Sequence, residues 1–373
     1  MAEPASLRGA REPQASEYGR AAVTATATTP AACTVRPPTP HDLQSWNAYV
    51  REHPEGTFFH LAEWAQVLER AFGHRSHYLC AERGGRLVGV LPLAEVRSLL
   101  FGHALVSTPF CVYGGALAAD DAAQLALEQA ACELGQRLGV GYVEMRNRKP
   151  RNRPGWLSKD LYVTFRRSFG ADAAENLSAI PRKQRAMVRK GIQNELRAEL
   201  DGGTGRMYAI YSESLQSLGT PVFSRRYPQI LQEAFGDQCE VLTVVHGSEA
   251  VASVLSFFFR DEVLPYYGGS TLAARALAAN DFMYWRVMER ARERGARLFD
   301  FGRSKQGSGS FDFKVHWGFS PEPLSYEYFL IRAKAMPNLS PNNAKYGRLI
   351  SAWRRLPLPV TRVLGPPLAR HLG

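Results

Sequence analysis

The densest chemistry in the sequence lies between Asp300 and Lys314. There Asp300-Phe301-Gly302-Arg303-Ser304-Lys305 is followed by Gly307 and then by Gly309-Ser310-Phe311-Asp312-Phe313-Lys314. Glycine lets a backbone approach a ligand closely, so Gly302, Gly307 and Gly309 suit a binding loop. Arg303, Lys305 and Lys314 can grip phosphate or carboxylate, the arginine in bidentate fashion. Asp300 closes a strand pattern, where a carboxylate can act as general base, orient a nucleophile, or simply cap the following loop. The plainer reading of the whole stretch is a flexible basic loop. Asp-Phe-Gly is also a kinase magnesium motif. With no Gly-rich phosphate loop and no His-Arg-Asp loop in the chain, kinase chemistry is excluded.

A second constellation is basic. Arg182, Lys183, Arg185, Arg189 and Lys190 fall in a helical stretch with no acidic residue between Glu175 and Glu195. Arg182, Arg185 and Arg189 share one face, which suits tRNA or another phosphorylated ligand, or equally a solvated surface. Tyr266, Tyr267 and Trp317 are candidates to line an acceptor pocket, with core packing as the alternative. His60 is either a pocket residue or a helix-packing histidine. His74 and His77 have metal-compatible types but no third partner, so no metal site is expected. Gln136-Arg137-Leu138-Gly139-Val140-Gly141 has the spacing of a pyrophosphate cradle. It leaves a helix and enters a strand, however, so it reads as a helix C-cap.

These groups need a scaffold, and apolar periodicity outlines one. Ordered sequence is expected from about Pro40, with helices from His41 to about Arg51 and from Thr57 to Phe72. Tyr78–Arg83 and Leu87–Leu93 across Gly84-Gly85 predict a hairpin. Strands follow at 104–107 and 112–113, then a helix over Asp121–Leu138 closed by Gly139, then a strand at 142–146. The second half repeats this order. A hairpin spans 241–245 and 251–259, and a strand at 264–267 ends in Gly268-Gly269. A helix starting at Asn280-Asp281 stops at Gly295, and a last strand covers 298–301. Tyr113-Gly114-Gly115 aligns with Tyr267-Gly268-Gly269 at an offset of 154, and Leu138-Gly139 with Arg294-Gly295 at an offset of 156. So long a period is a duplicated domain rather than a solenoid.

Composition bounds the rest. The 373 residues are 45% hydrophobic with a net charge of +11, which favours polyanionic partners. The five cysteines show no CxxC pair, so neither a zinc site nor a disulfide framework is expected. No apolar run reaches the length of a membrane span. Residues 1–36 read as a disordered arm, and a cytoplasmic location is the expectation. The remaining boundaries are a first domain over 37–165, a second over 166–330 and a basic tail over 331–373. That tail holds eight Lys/Arg, no acidic residue, and Trp353, Leu356, Val360 and Val363. A basic amphipathic tail can rest on an anionic bilayer or dock on its own domain.

A hairpin, a strand ending in Gly-Gly, a helix and a strand resemble the central unit of the GNAT acyltransferase fold. Two such units resemble the Fem-type peptidyltransferases. The likeness is carried by Phe58-Phe59-His60-Leu61-Ala62-Glu63-Trp64, by Asp300–Lys305 with Gly309–Lys314 and Trp317-Gly318-Phe319, and by Trp353-Arg354-Arg355-Leu356-Pro357-Leu358. It covers nearly everything after residue 37 and is greatest for FemAB-like proteins of exopolysaccharide and exosortase (PEP-CTERM) loci, with a BioF2-like acetyltransferase domain in the second half. It implies an α/β mixed-sheet fold of tandem GNAT-like domains, and an N-acyltransferase that moves an acyl or aminoacyl group to a glycan or peptide amine. The donor would be acyl-coenzyme A or aminoacyl-tRNA. Lys314 would take the place of a Phe-Lys lysine that contacts donor or acceptor, and Asp300 would be base or orienter. The alternatives are a tRNA-dependent peptidyltransferase and a non-catalytic assembly factor of an exopolysaccharide complex, peripheral to the inner membrane.

Overall fold

The computed structural model describes residues 33–98, 102–337 and 344–371. The chain opens with β1 (Thr34–Arg36) and α1 (Asp42–Glu52), a 3-10 turn at Phe58–His60, and α2 (Glu63–Phe72). Then come β2 (Arg75–Ser76), β3 (Leu79–Arg83), β4 (Arg86–Leu91), β5 (Leu93–Ser98), β6 (Gly102–Ser107), β7 (Leu117–Ala118), α3 (Asp121–Leu138) and β8 (Tyr142–Asn147). A crossover carries β9 (Leu157–Lys159) and β10 (Tyr162–Ser168). The second half runs through α4 (Ala173–Ala179), α5 (Arg182–Gln193), β11 (Arg197–Asp201), α6 (Gly205–Leu218) and α7 (Arg226–Phe235). It continues with β12 (Cys239–His246), β13 (Glu249–Phe259), β14 (Glu262–Ser270), α8 (Ala274–Leu277), α9 (Ala279–Glu293) and β15 (Leu298–Asp300). Last are β16 (Ser304–Lys305), α10 (Gly309–His316), β17 (Pro321–Pro323), β18 (Ser325–Leu330), α11 (Ala344–Arg355) and α12 (Leu358–Ala369).

The duplicated plan is visible in the strand pairing. In the first half β5 and β6 are antiparallel, and β8 returns parallel to β6 after α3. In the second half β13 and β14 are antiparallel, and β15 returns parallel to β14 after α9. Helix ends obey local chemistry. Asp120 caps α3 by accepting from the Ala123 amide at 2.9 Å. Gly139 (φ 67°) and Gly295 (φ 80°) make the left-handed exits that follow the two equivalent helices.

Four expectations need correction. Order among the described residues starts before Pro40, because Thr34–Arg36 pairs with β3; residues 1–32 lie outside the described residues. The predicted helix over 57–72 is broken at Leu61-Ala62 into a 3-10 turn and α2. Val112-Tyr113 is not a strand. Gly114 lies so near the Ser107 carbonyl, and Gly115 so near Asn147 Oδ1, that a Cβ at either would collide. These two glycines therefore let the segment fold back across β6 and β8, whereas Gly268-Gly269 continue within β14. Finally, α9 begins at Ala279 rather than at an Asn280-Asp281 cap, with Ala278 at φ 60° before it.

The halves share one apolar core. Phe58 stacks on Phe257 at 4.3 Å and meets Phe235 at 4.5 Å, while Phe59 packs against Tyr113 and Tyr266. Burying each such ring contributes about 2–3 kcal/mol. The halves are also laced by strand exchange. β10 joins the second sheet beside β15, and β18, from the end of that half, joins the first sheet between β8 and β9.

Candidate active site

β14 and β15 pair for two residues only, Glu262 with Leu298 and Val263 with Phe299. Beyond them β15 stops at Asp300 while β14 runs on to Ser270, so the two strands part. Asp300 stands at the fork. On its other side β10 places Arg166 opposite it.

The Asp300 side chain is fully enclosed and closely held. Its Oδ2 accepts from Tyr113 Oη at 2.8 Å and Arg166 Nε at 3.1 Å, and its Oδ1 accepts from the Gly302 amide at 2.7 Å. Thr164 Oγ1 lies 2.6 Å from Tyr113 Oη but 3.4 Å from Oδ1, so its proton serves the tyrosine better. Arg166 bridges onward to Glu262, whose carboxyl is pushed up by burial against the pull of that arginine. Burial also drives the Tyr113 hydroxyl well above its ordinary range, which keeps it a donor. Three firm donors leave this carboxylate little capacity to take a proton from a substrate. Its geometry suits orientation better than proton abstraction.

Lys314 is buried beneath the same loop. Its ammonium donates to the carbonyls of Phe301 (2.7 Å), Gly302 (2.9 Å) and Arg303 (3.2 Å). Burial pulls the amine down to about 7, while the Asp300 charge pulls it back up. Three carbonyls match the three donors of an ammonium, so the side chain fixes the loop backbone. Arg303 reaches into the first half, with its guanidinium 4.6 Å from the Tyr162 ring and Nη1 3.1 Å from Tyr326 Oη. The facing segment of the first half is pinned in the same way. The carbonyls of Phe110, Cys111 and Val112 accept from Tyr266, Arg146 and Tyr326 at 2.8, 2.8 and 2.7 Å.

The remaining candidates separate. Lys305 ends β16, Gly307 lies in the turn that follows and Gly309 opens α10, both glycines exposed. Arg182 and Arg189 are exposed on α5, while Arg185 turns back to the Ser178 carbonyl. Pro181, just before α5, packs on Gly318 beyond α10. Tyr267 is buried and hydrogen-bonded to Tyr227 at 2.8 Å. Trp317 is fully buried, its indole N–H on Asp281 at 3.0 Å. His60 is buried too, with Nε2 on the Gly115 carbonyl at 2.9 Å and Nδ1 near Thr57 Oγ1 at 2.7 Å. Burial lowers His60 to about 3, so it is neutral, and both ring nitrogens are engaged. Trp317 and His60 thus sit in the core. Asp281 occupies the first turn of α9, and burial raises it to about 6. A carboxylate there competes with any phosphate brought to that helix end. Among the described residues no group of three or more His, Cys, Asp or Glu is arranged to hold a metal.

Tyr113, Thr164, Arg166 and Glu262 were not singled out as site residues from the sequence. The available signal was charge within apolar strands, at Arg166 after Phe165 and at Glu262 before Val263.

Residues 176–315 match the family model described as Acetyltransferase (GNAT) domain. No curated protein matches. Among solved structures, FemX superposes with a TM-score of 0.63 at 16% identity, over 80% of this chain and 98% of FemX. A tandem GNAT protein from the clavulanic acid biosynthesis pathway superposes at 0.51 with 14% identity, over 79% and 97% of the two chains. L-PGS from Bacillus licheniformis gives 0.50 at 14% identity, over 86% and 97%. The fold is thus a mixed α/β arrangement of tandem GNAT-like domains, as the sequence pattern predicts.

Proposed function

We propose that the chain is an N-acyltransferase that moves an acyl or aminoacyl group from an activated carrier to the amine of an amino sugar or peptide, in exopolysaccharide or cell-envelope assembly. The observation that carries this reading is the fork between β14 and β15. Past Val263 the edge of β14 that faces away from β13 has no sheet partner among the described residues. The amides of an extended donor arm can pair with such an edge as an added strand does. The acyl carbonyl then lies near Asp300-Gly302. The amine attacks the carbonyl carbon, the carrier's C–S or C–O bond breaks, and the amine proton leaves to water or to the departing group.

Within this reading the loop supplies the electrostatics. A trans peptide points its N–H opposite to its C=O. Holding the 301–303 carbonyls on Lys314 therefore turns the Arg303 N–H outward as a donor to the tetrahedral oxyanion. Lys314 is a positioning residue, and Asp300 fixes Tyr113 and the Gly302 amide. Lys305 and the backbone at Gly307 and Gly309 face the donor's phosphates, while the Arg303 side chain anchors the loop to Tyr162 and Tyr326.

The test is thermal unfolding with coenzyme A and acyl thioesters, followed by mass spectrometry of candidate amines. A donor at about 100 times its Kd stabilises by about 2.7 kcal/mol, which is near 4 °C for a fold of about 330 residues. No shift with any thioester overturns a thioester donor. Full activity in Lys314→Ala and Arg303→Ala overturns the assigned loop. A second reading, with aminoacyl-tRNA as donor, is supported by the exposed Arg182, Lys183, Arg189 and Lys190 beside Gly318. It requires RNase-sensitive activity that weakens with salt. Ligand binding without product in either assay would leave a non-catalytic assembly factor.

A further inference from the structure

The C-terminal helix α12 divides into three sectors. At about 100° per residue, Thr361, Gly365 and Ala369 share one face, and all three are buried. That face is firmly docked. A Cβ on Gly365 would press on the Val222 carbonyl at 2.7 Å, and the Arg370 carbonyl lies 2.8 Å from His74 Nε2. Arg362 holds Ser212 Oγ at 2.9 Å. The opposite face carries Val360, Val363, Leu364 and Leu368, exposed by 38, 72, 48 and 39%. These positions repeat at i, i+3, i+4 and i+8, an apolar stripe facing away from the protein. Leu218 at the end of α6, which packs against α12, and Leu349 on α11, which packs against α6, add exposed apolar surface.

The third sector borders a cavity of about 470 Å³, lined by Tyr208, Ser224, Arg225, Arg362 and Pro366 among others. Two guanidinium groups enter its wall, and none of its lining residues is acidic. The C-terminal segment itself keeps the same sign, while the acids Glu199 and Asp201 are paired with Arg206. Arg354, Arg355 and Arg370 are exposed, and no Asp or Glu occurs after Glu327. A docked helix with an unpartnered apolar stripe, a basic rim and an arginine-lined recess fits a surface that is apolar within and anionic at its boundary.

We infer that α12 lies in the interface of an anionic phospholipid bilayer, with Val363 and Leu364 inserted and Arg225 and Arg362 receiving a headgroup phosphate. The site lies on elements other than the β14–β15 fork and holds whatever reaction the fork performs. Its test is flotation of the full chain with vesicles of phosphatidylcholine alone, or of phosphatidylcholine and phosphatidylglycerol in equal parts. The full chain floats with the anionic vesicles only, and less so as salt rises. Val363→Asp with Leu364→Asp abolishes flotation at a nearly unchanged melting temperature, since Val363 is mostly and Leu364 about half exposed. Arg225→Ala and Arg355→Ala each weaken binding about fivefold. Absence of vesicle binding, or equal binding by the Asp variant, overturns the proposal. So does concentration-dependent self-association in sedimentation that the Asp variant abolishes, because the stripe then covers a second copy of the chain. Competition by soluble glycerol phosphate with no effect of the Asp variant also overturns it, as the recess would then serve a free phosphate.

Discussion

Removing one hydroxyl, in Tyr113→Phe, tests whether the buried carboxylate at the fork ties the two halves together. The tyrosine donates to Asp300 Oδ2 at 2.8 Å from a fully buried position. A hydrogen bond to a charged group is worth about 1.5–3 kcal/mol. Thr164 Oγ1 can redirect its proton toward Oδ1, but across 3.4 Å it recovers only part of that. The expected loss is about 2 kcal/mol. At about 2.1 cal/mol/K per residue over the roughly 330 described residues, the melting temperature falls by about 3 °C. Asp300→Asn removes the charge beside Arg166 and costs about 3–5 kcal/mol. If the tyrosine acts through that charge, the double variant is hardly worse than Asp300→Asn alone, and the coupling is about 1–2 kcal/mol. Urea unfolding of the four proteins in this cycle measures it, since independent sites add within about 0.5 kcal/mol. Additivity within that limit refutes the coupling. If Asp300→Asn fails to fold, the cycle of Tyr113→Phe with Thr164→Val carries the same test through the 2.6 Å contact between them.

Other outcomes follow from the same geometry. Lys314→Met leaves three carbonyls without a donor; it should cost about 3 kcal/mol in calorimetry, and Lys314→Arg should not restore it, because a planar fork does not match three convergent acceptors. His60 is held neutral down to about 3 in the folded chain, whereas an unfolded histidine protonates near 6.5. The unfolded state therefore binds more protons between those values, and stability falls as pH drops through that window. The loss from this residue is about 2 kcal/mol between pH 7 and pH 5, read as the difference between wild-type and His60→Gln urea midpoints. Gly115→Ala forces Asn147 off the Glu327 carboxylate and should lower the melting temperature by about 3 °C, while Gly202→Ala, with open space around it, should not.

Much of the fold was legible because it is written in local periodicity. The helix over Asp121–Leu138 carries its own cap and stop, and the hairpins at 79–91 and 239–259 are apolar runs on either side of glycine-containing turns. The Asp300–Lys314 stretch stood out because glycines and cations cluster there. What the sequence hid is long-range. Lys314 looks like a ligand-gripping cation until the chain folds its ammonium onto three backbone carbonyls. Tyr113 looks like a repeat marker, yet its hydroxyl meets a carboxylate nearly two hundred positions away. Trp317 and His60 have pocket-like chemistry, but each has a buried partner that no spacing rule connects to it. The sequence offered self-docking as one alternative for the tail, and α12 docks one face on the protein while another stays in solvent.

The return of β18 to the first sheet has a consequence for biosynthesis. Ser325 pairs with Asn147, and Leu330 with Tyr142. A nascent chain that has completed β8 therefore emerges from the ribosome with that strand's outer edge bare. It stays bare through the synthesis of the entire second half. Long-range pairing of this kind is slow to close, and an open strand edge recruits other chains. Translation arrested before Ser325 should thus yield an aggregating fragment rather than a folded half. The gene cannot be divided at its internal repeat, although the repeat is what its sequence most plainly displays.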